Sequence, residues 1–185
     1  LQVRTRELAS SVEELQALGE ISQTVNSSLD LQTVLTTIVA HAVELSGTDA
    51  GAIYEFDDAT QEFRLSTTHR MSEEMVQAIR KTRLHLGVTV VGQAGVKREA
   101  VQVPDILDEP VYPLRVVMEQ AGFRALLAVP LLREERLVGA LVVRRREPGR
   151  FPERTVHLLE NFATQSVLAI QNARLFREIE QKGRE

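Results

Sequence analysis

The sequence of 185 residues contains no cysteine. Disulfides, thiolate metal sites, cysteine nucleophiles and thioether-linked chromophores are excluded together. No apolar run approaches the ~20 residues that span a bilayer, and no signal peptide is visible. The expectation is a cytoplasmic protein with no membrane contact from this stretch. Lysine is scarce: Lys81, Lys97 and Lys182 are the only ones, and the other basic residues are arginine. A formal net charge of -4 leaves no electrostatic footprint for a phosphate backbone, so no nucleic acid is expected. There is no internal repeat and no low-complexity tract. No two of His41, His69, His85 and His157 lie three or four residues apart, so no metal pair forms on one helix face. The chain opens at Leu1 rather than methionine and ends within a helical pattern, which reads as a piece of a longer protein.

What is present is ordinary in bulk: 43% apolar and 26% charged residues, at a length that suits one globular domain plus an extension. Leu8, Val12, Leu15, Leu18, Ile21 and Val25 recur every three or four residues and predict an amphipathic or coiled-coil helix over 1–26. Asn26-Ser27-Ser28 breaks it. Ser28 or Asp30 can cap a second helix that runs to about Ser46. Leu31, Val34, Leu35, Ile38, Val39, Ala42 and Leu45 give that helix its apolar face, and Gly47 ends it. Residues 49–56 and 62–69 read as strands around an Asp57-Asp58-Ala59-Thr60 turn. Ser72 caps a short helix carrying Met75, Val76 and Ile79, with Glu73 and Glu74 at its positive end. Residues 87–98 read as a loop and a short helix, 101–103 as a short strand, and 114–121 as two helical turns. Pro110 and Pro113 keep 105–113 irregular.

The most apolar stretches are Gly122 to Arg133 and Leu137 to Val143, joined by Glu134-Glu135-Arg136. Both are too apolar to keep one face in water, so they read as central strands of a sheet covered on both sides. After a Pro148-Gly149 break, one long helix is predicted from Pro152 to about Gln181. Val156, Leu159, Phe162, Ala163 and Val167 face the domain. Leu168, Asn172, Leu175, Ile179 and Lys182 then follow a heptad rhythm, with Asn172 as a register-fixing polar residue. Helices segregated around an antiparallel sheet define an α+β architecture.

Several phrases in this order resemble the GAF-domain family of bacterial sensor proteins. They are Ser27-Ser28-Leu29-Asp30-Leu31, Asp49-Ala50-Gly51-Ala52-Ile53-Tyr54, Val101-Gln102-Val103-Pro104-Asp105-Ile106, Ala121-Gly122-Phe123-Arg124, Val129-Pro130-Leu131, and Phe162-Ala163 through Leu175. The resemblance implies a GAF-like, PAS-related antiparallel sheet of five or six strands. It implies helices on both faces, long N- and C-terminal signalling helices, and a pocket on the face away from the terminal helices. It divides the chain into an N-terminal coiled-coil or linker helix at 1–27, a GAF domain at 28–175, and the start of a C-terminal coiled-coil linker at 176–185. It further implies a homodimer joined through the terminal helices, feeding an output domain in the same chain, most often a histidine kinase. The Asn-Lys-Phe-Asp-Glu signature of cyclic-nucleotide GAF domains is missing, since Asn161-Phe162 continues with Ala163-Thr164. Covalent bilin and the GAF-like methionine sulfoxide reductases both need cysteine. The cofactor is therefore unknown, with haem held by a histidine the one specific candidate.

The resemblance draws attention to six ligand-binding candidates: His69, His85, Asp105, Tyr112, Arg115 and Arg124. His69 ends a strand and His85 lies in a loop, and either would serve as a haem axial ligand or hold an anion. Asp105 offers a hydrogen bond to a ligand or a loop cap. Arg115 and Arg124 suit a carboxylate or phosphate, or else surface ion pairs. Arg144-Arg145-Arg146 lacks the neighbouring aromatics that stack bases and reads as a solvated strand end, with Arg145 on the face opposite its neighbours. No catalytic residue set and no metal site is expected. Three functions compete: a ligand-binding sensory domain of a two-component histidine kinase, a ligand-free dimerisation and relay module of a kinase, cyclase or phosphodiesterase, and, on fold analogy alone, an enzyme acting by itself. In the second, Met71, Met75, Ile79 and Val90 would fill the pocket.

Overall fold

The computed structural model describes residues 31–109 and 111–183. The helix expected over 1–26, its Ser28 or Asp30 cap and Pro110 lie outside the described residues. Helix α1 (Leu31–Ser46) leads into the hairpin β1 (Ala50–Asp57) and β2 (Glu62–His69). Helix α2 (Glu73–Lys81), the two-residue strand β3 (Leu84–His85), helix α3 (Thr89–Lys97) and β4 (Val101–Val103) follow. A 3-10 turn at Ile106–Asp108 and helix α4 (Arg115–Ala121) precede the hairpin β5 (Ala125–Arg133) and β6 (Arg136–Arg145). The long helix α5 (Glu153–Gly183) closes the chain. The strands form one six-stranded antiparallel sheet in the order β3-β2-β1-β6-β5-β4.

The two apolar stretches are β5 and β6, and apart from Pro130 and the strand ends both are buried. Each face of the sheet has its own core. On one face Ile53, Leu127, Val129, Leu141 and Val143 pack against α1 and α5. On the other, Ala52, Tyr54, Leu126, Ala128 and Val142 lie under α2, α3, α4 and their loops. The α1 stripe holds Val34, Leu35, Ile38, Val39 and Ala42 inside, but Leu45 is exposed and Val43 is buried in its stead. The reason is Gly51, which lets β1 approach α1 so closely that a Cβ there would press into Val43 and Val39. Along α5, Leu159, Phe162, Ala163 and Val167 are buried while Leu168 and Leu175 are exposed.

Caps and turns follow local chemistry. The Ser72 hydroxyl accepts from the Met75 N–H at 3.2 Å and starts α2. Gly47 leaves α1 at φ 69°. The β5–β6 connection is tighter than a loop: Arg133 pairs with Arg136, and Glu134 and Glu135 both take positive φ, 48° and 69°. That is the two-residue turn whose twist suits a hairpin, built here without glycine or asparagine. Residue His85, expected in a loop, instead pairs with Glu62 as part of β3.

Candidate functional site

Arg144 sits near the C-terminal end of β6, opposite Ala50 of β1 and Leu126 of β5. Both neighbours belong to the core beneath α2, α3 and α4, so strand alternation sends the Arg144 side chain into that core. It is 2% exposed. Its Nη2 donates to the Tyr54 hydroxyl at 3.0 Å and its Nη1 reaches the Met71 sulfur at 3.5 Å. Its Nε is buried without a partner. The solvated strand end expected for this arginine run is thus corrected at Arg144: loops and helices beyond the strand cover its end. Alternation itself holds. Arg145 turns to the other face, stacks 4.4 Å from the Phe151 ring and donates to the Gly149 carbonyl at 2.8 Å. Arg146 returns to the first face, 5.0 Å from the Phe123 ring, and is paired with Asp49 at 3.7 Å.

Around Arg144 the core is polar in a way its surroundings are not. The Tyr112 hydroxyl accepts from the Val90 N–H at 3.1 Å, in the first turn of α3. The N-cap residue of α3, Val88, has no oxygen side chain to do this, so Tyr112 supplies the missing cap from a distant loop. Burial pushes the Tyr112 phenol up to about 12, against the opposing pull of the Val90 N–H and the Arg144 charge. Thr89 stands beside Tyr112 at φ 60° with its hydroxyl buried. A β-branched residue in that region is strained, at a typical cost of ~1–3 kcal/mol.

Of the six candidates, Tyr112 alone lies in this group. His69 is opposite Gly51 in the β1–β2 register, and the Cβ direction of Gly51 is toward Val39 and Val43 of α1. His69 therefore faces the α1 side, where its Nε2 is buried without a partner. His85 is exposed at the sheet edge, 3.4 Å from Glu62. Asp105 and Arg124 hold each other, with Arg124 Nε on Oδ1 at 2.8 Å and Nη2 on Oδ2 at 2.6 Å. Asp105 also accepts from the Leu107 N–H at 3.0 Å, capping the 3-10 turn. Arg115 pairs with Glu119 one turn along α4, at 3.6 Å. The residues that sequence reasoning missed are Arg144, Tyr54 and Thr89. Register was the available signal, since an arginine in phase with Val142 and Ala140 on a two-sided strand points into a core.

Beside the group, a cleft of about 360 Å³ is lined by Arg70, Ser72, Met75, Val117, Phe123 and Arg146 among others. Arg70 and Ser72 are the chain neighbours of Met71, whose sulfur touches Arg144. No cluster of three or more His, Asp or Glu suited to a metal occurs among the described residues. No described helix is long and apolar enough to cross a membrane.

A sheet with a helix pair on one face and short helices and loops over the other defines a three-layer α+β domain. A family model described as GAF domain matches residues 28–171, and the chain belongs to the GAF family. The chain is similar to the GAF domain of a phosphoenolpyruvate-protein phosphotransferase from Coxiella burnetii. The two share 26% identity with a TM-score of 0.73, over 89% of this chain and 96% of that one. It is also similar in fold to a free methionine-R-sulfoxide reductase from Neisseria meningitidis, at 23% identity and TM-score 0.69 over 86% and 89% of the two chains. A domain described as that of a two-component sensor histidine kinase protein from Sinorhizobium meliloti matches at 20% identity and TM-score 0.67, over 80% and 96%. No curated protein matches the sequence. The GAF family is one of regulatory and sensory signalling domains.

Proposed function

We propose that the chain is the sensory domain of a bacterial two-component histidine kinase. It binds a small molecule on the face that carries Arg144 and Tyr112. It relays occupancy through paired terminal helices of a homodimer to an output domain in the same chain. The observation that carries the ligand-binding reading is the buried Arg144 guanidinium, which meets a tyrosine hydroxyl and a thioether but no carboxylate. Proteins rarely bury such a charge without a counter-charge. The relay is supported by layering: α1 and α5 pack on the opposite face of the same sheet, so strain on β1 or β6 reaches them directly. A ligand drives such a relay only through its differential affinity for two states, about 5.5 kcal/mol for a full switch. Dimerisation is supported by Leu168, Asn172 and Leu175, which are exposed on α5 at heptad spacing. Any kinase chemistry belongs to the output domain.

The ligand-free relay module remains the second reading, favoured by the burial of Met75, Ile79 and Val90 within the same face. Native mass spectrometry of the chain purified from cells, with a visible absorption scan, separates the two. The sensory reading predicts a dimer that carries extra bound mass. A dimer of bare mass that responds to no metabolite in a thermal-shift screen would favour the relay module instead.

A further inference from the structure

We propose that the ligand is a small monoanion, one carboxylate on an otherwise apolar body, seated against the Arg144 guanidinium. This deepens the ligand-binding reading above and rests on it. Arg144 is the one charged side chain buried among the described residues. The side chains that meet it, the Tyr54 hydroxyl and the Met71 thioether, are neutral and bring no negative charge. A phenol oxygen that accepts one bond still has its own O–H to give. Tyr54 accepts from Arg144, so its phenol proton is still to be given, while the Tyr112 hydroxyl accepts from Val90 and lies within hydrogen-bond reach of Thr89. The Arg144 Nε–H is also buried without a partner. Such a nest is complementary to a group that only accepts.

The charge on that group follows from the charge around it. One buried guanidinium balances one negative charge, and a phosphate dianion would leave an excess with no second buried cation to meet it. The planar fork of arginine matches the two oxygens of a carboxylate. Ala50, Ala52, Met75, Phe123 and Val142 share the same core and offer the rest of the ligand only apolar contact. The nearest opening is the cleft of about 360 Å³ lined by Arg70 and Ser72, the chain neighbours of Met71, and the unbranched Met71 thioether that touches Arg144 is an adaptable side chain.

The test is a thermal-shift series on the full 185-residue chain. The probes are sodium acetate, pyruvate and benzoate, each set against sodium chloride of equal ionic strength, against acetamide or benzamide, and against inorganic phosphate. At least one carboxylate should raise Tm, by roughly 5–10 °C at 100 times its Kd. Its amide should not. Arg144→Met should abolish the response, while Tyr54→Phe, which keeps the charge, should only weaken it. Arg144→Met should also melt above the wild type in chloride alone, because a buried unpaired charge is gone. A response to phosphate or to an amide, but to no carboxylate, would overturn the monoanion while leaving ligand binding intact. A wild type deaf to every probe, together with a lowered Tm for Arg144→Met, would make Arg144 a structural strut and overturn the proposal. A bare-mass dimer in the native spectrum would then remove the ligand-binding reading as well.

Discussion

Asp105 does two jobs with one carboxylate, pinning Arg124 at the mouth of β5 and capping the turn at Leu107. The Arg124 hydrogen bonds, with the Leu107 N–H behind them, hold its pKa down at about 2 from an ordinary 3.8. A depressed acid stabilises the fold above its unfolded pKa and loses that contribution as pH falls toward the folded one. Asp105→Asn should therefore lower Tm at neutral pH, and its gap to the wild type should close between 3.8 and about 2. Tyr112 is the converse. Its phenol is raised to about 12 from 10.0 by burial, so its contribution is whole below 10.0 and is lost as pH climbs toward about 12. With Tyr54→Phe leaving Tyr112 as the only tyrosine, phenolate absorbance should appear only near that upper value. The residue scale is also where sequence reading fell short. Asp105 and Arg124 were visible as charged residues beside a loop, but nothing in their spacing said that they face each other. Arg144 looked like a member of an exposed run because two further arginines follow it. Its burial comes from residues far along the chain, at Met71 and in α3.

At the scale of elements, periodicity was a good guide wherever one face of a helix or both faces of a strand decide burial. The buried stripes of α1 and α5, apart from the exchange of Leu45 for Val43, and the two-sided burial of β5 and β6 follow from spacing. Short elements did not, because two residues of β3 carry no period; Leu84 and His85 become a strand only because β2 pairs with them. Turn chemistry was hidden too. Glu134 and Glu135 both adopt a left-handed conformation that costs a residue with a Cβ ~1–2 kcal/mol. Glu135→Gly should accordingly stabilise the chain by about 1 kcal/mol, measured as an increase in the denaturant midpoint at unchanged slope. Gly139 has the opposite character. A Cβ there would collide with the Tyr54 carbonyl, where β1 and β6 lie against each other at Glu55 and Gly139. Gly139→Ala should cost ~3 kcal/mol and loosen the strand that carries Arg144, seen as a lowered midpoint and faster amide exchange along β1 and β6.

The whole molecule is a sheet read from two sides. One side presents a donor-rich nest around Arg144, the other a helix pair that leaves the domain along α5. The α+β layering was legible in the sequence because the order of elements and the resemblance to GAF domains agreed. The location of the nest was not, since it depends on which face each strand residue takes after the register is set. At this scale the dimer is the first consequence to check. Leu168 and Leu175 are 47% and 52% exposed on α5, and a seam through them predicts that Leu168→Glu with Leu175→Glu yields monomers by sedimentation. The fold should survive, because neither side chain belongs to the core. The most direct test of the account as a whole is native mass spectrometry of the wild type and of Arg144→Met, purified in parallel from the same cells. The account predicts a wild-type dimer with added mass in the range of a small organic acid, and an Arg144→Met dimer at bare mass. The same added mass on both chains, or bare mass on both, would contradict it.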